Sequence, residues 1–208
     1  MPNKVLIADD HFPVRFGLEI IVKESLGNAT SIDFATDTLD AIKKAAQSTY
    51  DIMITDVSMP GIDFLSMMQK ILEYQPQIKI LIVSVNPKEI FGQRYINSGA
   101  FGYVSKSESE EELKKAIQAI SLGKKYIGGG IAADGHKISQ NPFDDLSSRE
   151  FETMMLLIKG AGILEVANAL SLKVSTVSTF RSRIFTKLQV KNIIELTNLA
   201  RKYGLENE

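Results

Sequence analysis

The stretch Tyr50-Asp51-Ile52-Met53-Ile54-Thr55-Asp56-Val57-Ser58-Met59-Pro60 decides how this chain reads. Ile52, Met53 and Ile54 form a short apolar run, and Met59-Pro60-Gly61 closes the segment. A continuous apolar run bounded by turn residues is the pattern of a parallel strand buried on both faces. Asp56 falls at the C-terminal end of that strand, the edge along which ligands bind in open α/β sheets. A lone Asp after a strand is more often a helix cap or turn residue. The neighbouring segments decide between the two.

Before this strand, Lys4 to Ala8 reads as a first buried strand followed by Asp9-Asp10. Val14, Leu18, Ile21, Val22 and Leu26 then recur at helical spacing. Ile32 to Ala35 is a second strand and Leu39 to Ala46 a helix with Thr38 as its cap. After the central strand come a helix over Ile62–Leu72, a strand over Ile78–Val83 and a helix over Ile90–Ile96. A strand over Phe101–Val104 and a helix over Glu110–Leu122 follow. Five strand–helix repeats predict a parallel sheet with helices on both faces and right-handed crossovers. Asp9, Asp10, Asp56, Ser84 and Lys106 then fall on one sheet edge. Three carboxylates there repel one another, and a hard divalent cation with oxygen ligands, Mg2+ above all, relieves the repulsion. Lys106 adds a point charge suited to a phosphate or a carboxylate. The set suits phosphoryl transfer onto an aspartate. Singly, each residue has an ordinary explanation: a capping pair, a solvated lysine, a half-buried aromatic at Tyr103.

Composition agrees with two modules. Residues 1–121 carry 12 basic and 16 acidic side chains, and residues 146–208 carry 9 and 6. An acidic front and a mildly basic back imply different partners. No apolar run approaches the roughly 18 residues of a membrane helix, so no membrane association is expected. Acids interrupt the N-terminal apolar run too soon for a signal peptide, and there is no cysteine; both favour the cytoplasm.

Gly128-Gly129-Gly130, Asp134-Gly135 and Ser139 to Pro142 break all periodicity, so residues 124–145 read as a linker. Ser147 with Glu150 fits a capping box, and Leu146 a staple onto Phe151. Four helices follow, over 151–160, 163–170, 174–188 and 193–203. The second and third, joined at Ser171-Leu172-Lys173, form a helix-turn-helix. Thr176, Ser178, Thr179, Arg181, Ser182, Arg183 and Lys187 surround the apolar stripe of the third helix, and small hydroxyls and arginines on one outer face suit entry into a major groove and grip on phosphates.

Residues 1–121 resemble a two-component receiver domain. The resemblance rests on Asp9-Asp10, on D-V-S-M-P-G around Asp56, on Ser84 and on G-Y-V-S-K in Gly102–Lys106. It implies Asp56 as phosphoacceptor, with Mg2+ held by Asp9, Asp10, Asp56 and the backbone carbonyl of Ser58. Ser84 and Tyr103 are then the switch pair, and Lys106 the partner of the phosphorylated Asp56. Val14-Arg15-Phe16-Gly17-Leu18 resembles a receiver subclass that uses this helix as a dimer surface. Phe64 departs from the family's usual Gly, which bears on where the third helix starts. Residues 146–204 resemble a LuxR-type domain through L-S-S-R-E, E-V-A, S-T-V, R-x-R-I and K-L. Ser178, Phe180 and Ser182 depart from that pattern where relatives carry Lys, His and a basic residue. Fewer cations mean weaker phosphate grip and a shallower salt dependence.

The chain is therefore expected to be a response regulator of the NarL/FixJ class. Its expected fold is α/β plus all-α: a flavodoxin-like (βα)5 receiver over 1–123, a linker over 124–145 and a four-helix helix-turn-helix domain over 146–208. A sensor histidine kinase, double-stranded DNA and a second copy of the chain are the expected partners. Turnover catalysis is not expected, since an aspartate-based phosphatase wants an acid two residues after its nucleophile and Ser58 stands there. The competing expectations are a phosphorylation-independent DNA-binding regulator and an interaction module whose helix-turn-helix no longer binds DNA.

Overall fold

The computed structural model describes residues 4–131 and 142–205. Two compact units emerge, Met1–Gly135 and His136–Glu208. In the first, β1 (Lys4–Ala8), β2 (Ser31–Ala35), β3 (Ile52–Thr55), β4 (Lys79–Ser84) and β5 (Gly102–Ser105) alternate with α1 (Phe12–Leu26), α2 (Thr38–Gln47), α3 (Phe64–Tyr74), α4 (Lys88–Asn97) and α5 (Glu110–Ser121). These five strands are parallel in the order β2-β1-β3-β4-β5. Strand alternation sends Val5, Ile7, Ile52, Ile54, Leu81 and Val83 to one face, where they pack with Leu18 and Val22 of α1 and Leu113, Ile117 and Ile120 of α5. Leu6, Met53, Ile80 and Ile82 point the other way and are equally buried, as are Met67, Met68 and Ile71 of α3. Burial on both faces is why these strands read as unbroken apolar runs.

The helix starts follow local chemistry. Asp37, not Thr38, caps α2 by accepting from the Asp40 amide. Thr38 instead turns its hydroxyl toward the loop after β3, donating to the Pro60 carbonyl and accepting from the Ile62 amide at 2.7 Å. Gly61, at φ +116°, has no room for a β-carbon beside that hydroxyl. Asp63 caps α3 through the Ser66 amide, so the helix begins at Phe64. Asp and Ser caps of this kind contribute about 0.5–2 kcal/mol each.

The sheet does not stop at β5. Tyr126–Ile127 (β6) pairs parallel to β5, and Gly130–Ile131 (β7) turns back antiparallel on β6. The stretch 124–131, which the glycines mark as the start of a linker, thus carries a short hairpin on the sheet edge. The next part of that expected linker, 132–141, lies outside the described residues.

The second unit opens with a 3-10 turn, Pro142–Asp145, and continues as α6 (Ser148–Ile158), α7 (Ile163–Ala169), α8 (Val174–Lys187) and α9 (Ile193–Lys202). Phe143 of the turn is fully buried, edge-on to Phe151 and Tyr203. The Ser147–Glu150 capping box forms, and both Leu146 and Phe151 are buried. Leu157, Val166, Ala167, Leu170 and Val177 make the core of the helix-turn-helix. Ser171, at φ +53°, sits in the left-handed region at the turn between α7 and α8.

Candidate functional site

Parallel register brings the strand ends together. Ala8 pairs with Thr55 and Thr55 with Ile82, and the Asp56 amide donates to the Ala8 carbonyl at 2.9 Å. Asp9 and Asp56, one residue beyond neighbouring strands, are both almost wholly buried. Ser84 ends β4, and the Lys106 amide, one residue past β5, donates to the Ser84 carbonyl at 2.8 Å.

One cation joins the two buried acids. Lys106 Nζ lies 2.9 Å from Asp9 Oδ2 and 2.9 Å from Asp56 Oδ2. Burial alone would depress the Lys106 ammonium, but its hydrogen bonds to Asp9 and Asp56 win and raise its pKa. The remaining oxygens are held by backbone: Asp56 Oδ1 accepts from the Val57 amide at 2.7 Å and Asp9 Oδ1 from the His11 amide at 2.8 Å. Asp10 is more open and meets His11 Nδ1 at 2.9 Å. Asp9, Asp10 and His11 offer ligand atoms within 4.8 Å of one another. The Asp9 and Asp10 carboxylates are oxygen donors that suit a hard divalent cation and the exposed His11 adds a nitrogen at the rim, while Asp56 is joined to Asp9 through Lys106. Ser58 lies exposed in the loop two residues beyond Asp56.

Beside this cluster, Ser84 is completely buried and its hydroxyl accepts from the Asn86 amide at 3.2 Å. Tyr103 is also completely buried. Its hydroxyl donates to the Asn86 carbonyl at 2.9 Å, and its ring stacks on Tyr95 at 5.9 Å. Burial is the main force raising the Tyr103 pKa, so the phenol stays protonated and can only donate or accept hydrogen bonds. Sequence reading did not single out Asn86, which touches both Ser84 and Tyr103, nor Tyr95. Arg15, named there only as part of the α1 motif, reaches the site: its Nη1 donates to the Asp9 carbonyl at 2.7 Å. The spacing of Asn86, two residues past Ser84, is the signal that was available.

On α1, Val14 and Leu18 face inward, whereas Phe12, Phe16 and Ile20 are 70%, 56% and 44% exposed. Their spacing of four puts them in one line on the helix. Phe12 and Phe16 stack at 6.4 Å.

In the second unit, Val177 and Ile184 anchor α8, so at 100° per residue the strip facing away is Ser175, Thr179, Ser182 and Thr186. Arg183 borders that strip. Ser178, Thr179, Arg181, Ser182, Arg183 and Lys187 are all exposed, and Thr176 is half-buried. They do not share one face as expected: residues two apart on a helix point nearly opposite ways. Arg181 lies over the Phe185 ring at 5.0 Å, on the other flank from Arg183. Ser178 and Thr179 donate to carbonyls one turn back, those of Val174 and Ser175, which leaves their oxygens free to accept. Lys187 is engaged within the unit, 2.6 Å from the buried Glu150 carboxylate and 3.0 Å from the Asp145 carbonyl.

Comparison with known proteins returns the same two parts. Residues 5–118 match the response regulator receiver domain, and residues 144–200 match the bacterial regulatory proteins of the luxR family. The response regulator UvrY of Escherichia coli is 32% identical, over 98% of this chain and 95% of that protein. The response regulator GacA of Pseudomonas aeruginosa is 34% identical, over 97% of both. Among solved structures, RcsB of Salmonella enterica serovar Typhimurium bound to a promoter with a phosphomimetic matches with a TM-score of 0.74 and 26% identity. That match covers 95% of this chain and 98% of RcsB. RcsB has also been seen as two dimers bound to two parallel DNAs, a match at a TM-score of 0.59 with 25% identity over 97% of this chain and 98% of RcsB.

Proposed function

We propose a phosphorylation switch for this chain, which belongs to the two-component response regulators that join a receiver to a LuxR-type helix-turn-helix domain, with Asp56 as the acceptor. The observation that carries the proposal is the clamp of Lys106 on Asp9 and Asp56 at the end of the parallel sheet. The donor is the phosphohistidine of a sensor histidine kinase. An Asp56 carboxylate oxygen attacks the phosphorus, the P–O bond forms as the P–N bond breaks, and the departing imidazole takes up a proton.

Asp9, Asp10, Asp56 and the Ser58 carbonyl are the groups that would hold Mg2+, which supplies charge neutralisation for the transferring phosphoryl group. Lys106 neutralises part of the same charge. It reaches Asp56 from β5 with three donor hydrogens and can keep one on the acylphosphate. Ser84 turns its hydroxyl to the phosphoryl oxygens, breaking its bond to the Asn86 amide, and the hydrogen-bonding of Tyr103 changes with it. The phosphoryl group thereby favours one arrangement of the Ser84–Asn86–Tyr103 set over another.

The output is double-stranded DNA bound by α8. Ser175, Thr179, Ser182, Thr186 and Arg183 face the groove, and Arg181 and Thr176 flank it. Lys187 first steadies Glu150 and reaches phosphate only at the rim. The active form is a dimer, seated through the line Phe12, Phe16 and Ile20 on the same line of a second copy. Self-complementary apolar stripes of this kind suit a two-fold interface. No helix among the described residues is long and apolar enough to cross a membrane, and with DNA as its target the protein works in the cytoplasm. It does not turn over a substrate: two residues past Asp56, where an aspartate-based phosphatase carries its second acid, stands Ser58.

The test is intact mass after incubation with acetyl phosphate, with and without Mg2+, for the wild type and Asp56→Ala. One phosphoryl adduct requiring both Mg2+ and Asp56 is expected. An adduct that survives in Asp56→Ala, or that ignores chelation of Mg2+, overturns the assignment.

A further inference from the structure

The β6–β7 hairpin touches the switch at several points. The Gly128 amide donates to the Tyr103 carbonyl at 2.8 Å, and the Tyr126 amide donates to the Phe101 carbonyl at 3.0 Å. Gly102 pairs with Tyr126 and Tyr103 with Ile127. Ile127 also reaches α4: a β-carbon at Gly92 would lie 3.1 Å from the Ile127 methyl and 3.7 Å from the Tyr103 ring. Gly92 is thus the place where α4, the Tyr103 ring and the hairpin meet without a side chain between them.

Two acids of the β5–α5 corner hold the other side. Glu112 accepts from the Tyr126 hydroxyl at 2.6 Å and from the Gly129 amide. Those bonds keep its carboxyl ionised below the usual range. Glu108 bridges the Ser105 amide and the Lys88 ammonium at the start of α4. Its carboxylate fills the space where a β-carbon of Gly128 would stand. The three glycines therefore serve a shape: Gly128 admits Glu108, Gly129 takes φ +98° in the turn, and Gly130 starts the return strand. A two-residue strand adds little stability of its own, so the hairpin stays docked only while Tyr103, α4 and the acids keep this arrangement.

We propose that the Tyr126–Ile131 hairpin is the transmission element of the switch, reading the state of Tyr103 and α4 and passing it along the chain to the DNA-binding unit. This rests on Asp56 being the phosphoacceptor. The chain runs from the receiver to the helix-turn-helix through this hairpin, and the hairpin's Gly128 amide is bonded to the Tyr103 carbonyl. A change at Tyr103 alters the hydrogen bond to Gly128 and the packing of Ile127 together. The small free energy of docking makes the hairpin responsive to it.

The experiment has two arms, each on full-length protein. Hydrogen exchange of the amides of 124–131 is followed in the wild type before and after acetyl phosphate with Mg2+, with intact mass recorded on the same samples. In parallel, retention on sheared double-stranded DNA at low salt is measured for the wild type, Ile127→Ser and Gly128→Ala, with and without the phosphodonor. The expected result is a change of protection in 124–131 on phosphorylation. The variants should take up phosphate as the wild type does and lose the phosphorylation-dependent gain in DNA retention. Protection that stays constant while the adduct forms overturns the inference and leaves Asp56 as acceptor. So does an undiminished gain in variants shown by thermal melting to be folded. Absence of any adduct in the wild type under the same conditions removes the acceptor reading and this inference with it. The exchange arm needs no variant, so it decides the matter even where a substitution prevents folding.

Discussion

The ammonium of Lys106 stands 2.9 Å from the Asp56 carboxylate, although fifty positions separate them in the chain. The same ammonium holds Asp9. Two nearly buried carboxylates on neighbouring strands would otherwise face each other with no neutralising charge, and that pairing makes the strand ends a site rather than a set of turn residues.

Lys106→Met tests the clamp. Lys106 competes with any cation for Asp9 and Asp56, so the variant should bind Mg2+ more tightly, read as a lower half-saturating concentration in a fluorescence or calorimetric titration. Its phosphoryl transfer should slow by roughly tenfold to a hundredfold, the equivalent of about 1.5–3 kcal/mol for a lost charged hydrogen bond. Unchanged Mg2+ affinity and unchanged rate would leave Lys106 as an ordinary ion-pair residue.

Glu150 gives a pH dependence. Burial disfavours its charge, but the Lys187 ammonium and the Ser147 backbone and hydroxyl outweigh that and hold its carboxyl below the ordinary value of 4.5. A carboxyl lowered in the folded state adds stability that is present above its unfolded pKa and is lost as the pH falls through the folded one. Glu150→Gln should therefore lower unfolding free energy by about 1–3 kcal/mol at pH 7. The gap from the wild type should close below about pH 4.5 in chemical denaturation at a series of pH values.

The outward strip of α8 predicts an unequal pair. Arg183 borders the strip, whereas Arg181 leans on Phe185. Arg183→Ala should weaken binding to DNA and flatten the salt dependence by about one unit of slope. Arg181→Ala should do less. A larger effect at Arg181 than at Arg183, measured by anisotropy across a salt series, would mean that α8 enters the groove on its Arg181 flank instead.

Phe16→Ser tests the dimer surface. Phe16 is 56% exposed, so its loss should barely move the melting temperature of the monomer. In the phosphorylated protein it should weaken dimerisation by about 1.5–3 kcal/mol per protomer, visible as a shift toward monomer in sedimentation. A dimer of unaltered strength would place the two-fold interface elsewhere.

Much of this was legible in the sequence because it is local. Each βα repeat carries its own apolar run and its own breaker; the acids and Lys106 follow their strands by one or two residues, and Ser84 ends its own. Once the sheet is parallel, their meeting is forced. What escaped depends on partners far along the chain or on geometry below the resolution of a pattern. Thr38 looks like a helix cap, but Asp37 takes the Asp40 amide and the Thr38 hydroxyl is spent on the Pro60–Ile62 loop, 22 to 24 residues on. The hairpin hid behind Gly128-Gly129-Gly130, since strands of two residues are too short to show a period. Arg181 and Arg183 looked like one basic face only because spacing of two was read without the helical turn. Lys187 looked free because Glu150, its partner, lies 37 residues back.

The measurement that tests the central claim most directly is DNA binding before and after phosphorylation, on one preparation, with the Asp56 adduct quantified by mass and the oligomeric state by sedimentation. The wild type should gain affinity and dimerise in proportion to the adduct, and Asp56→Ala should do neither while still binding DNA at its basal level. DNA affinity that is identical with and without a stoichiometric adduct on Asp56 would contradict the account and make this chain a regulator whose DNA binding is independent of phosphorylation.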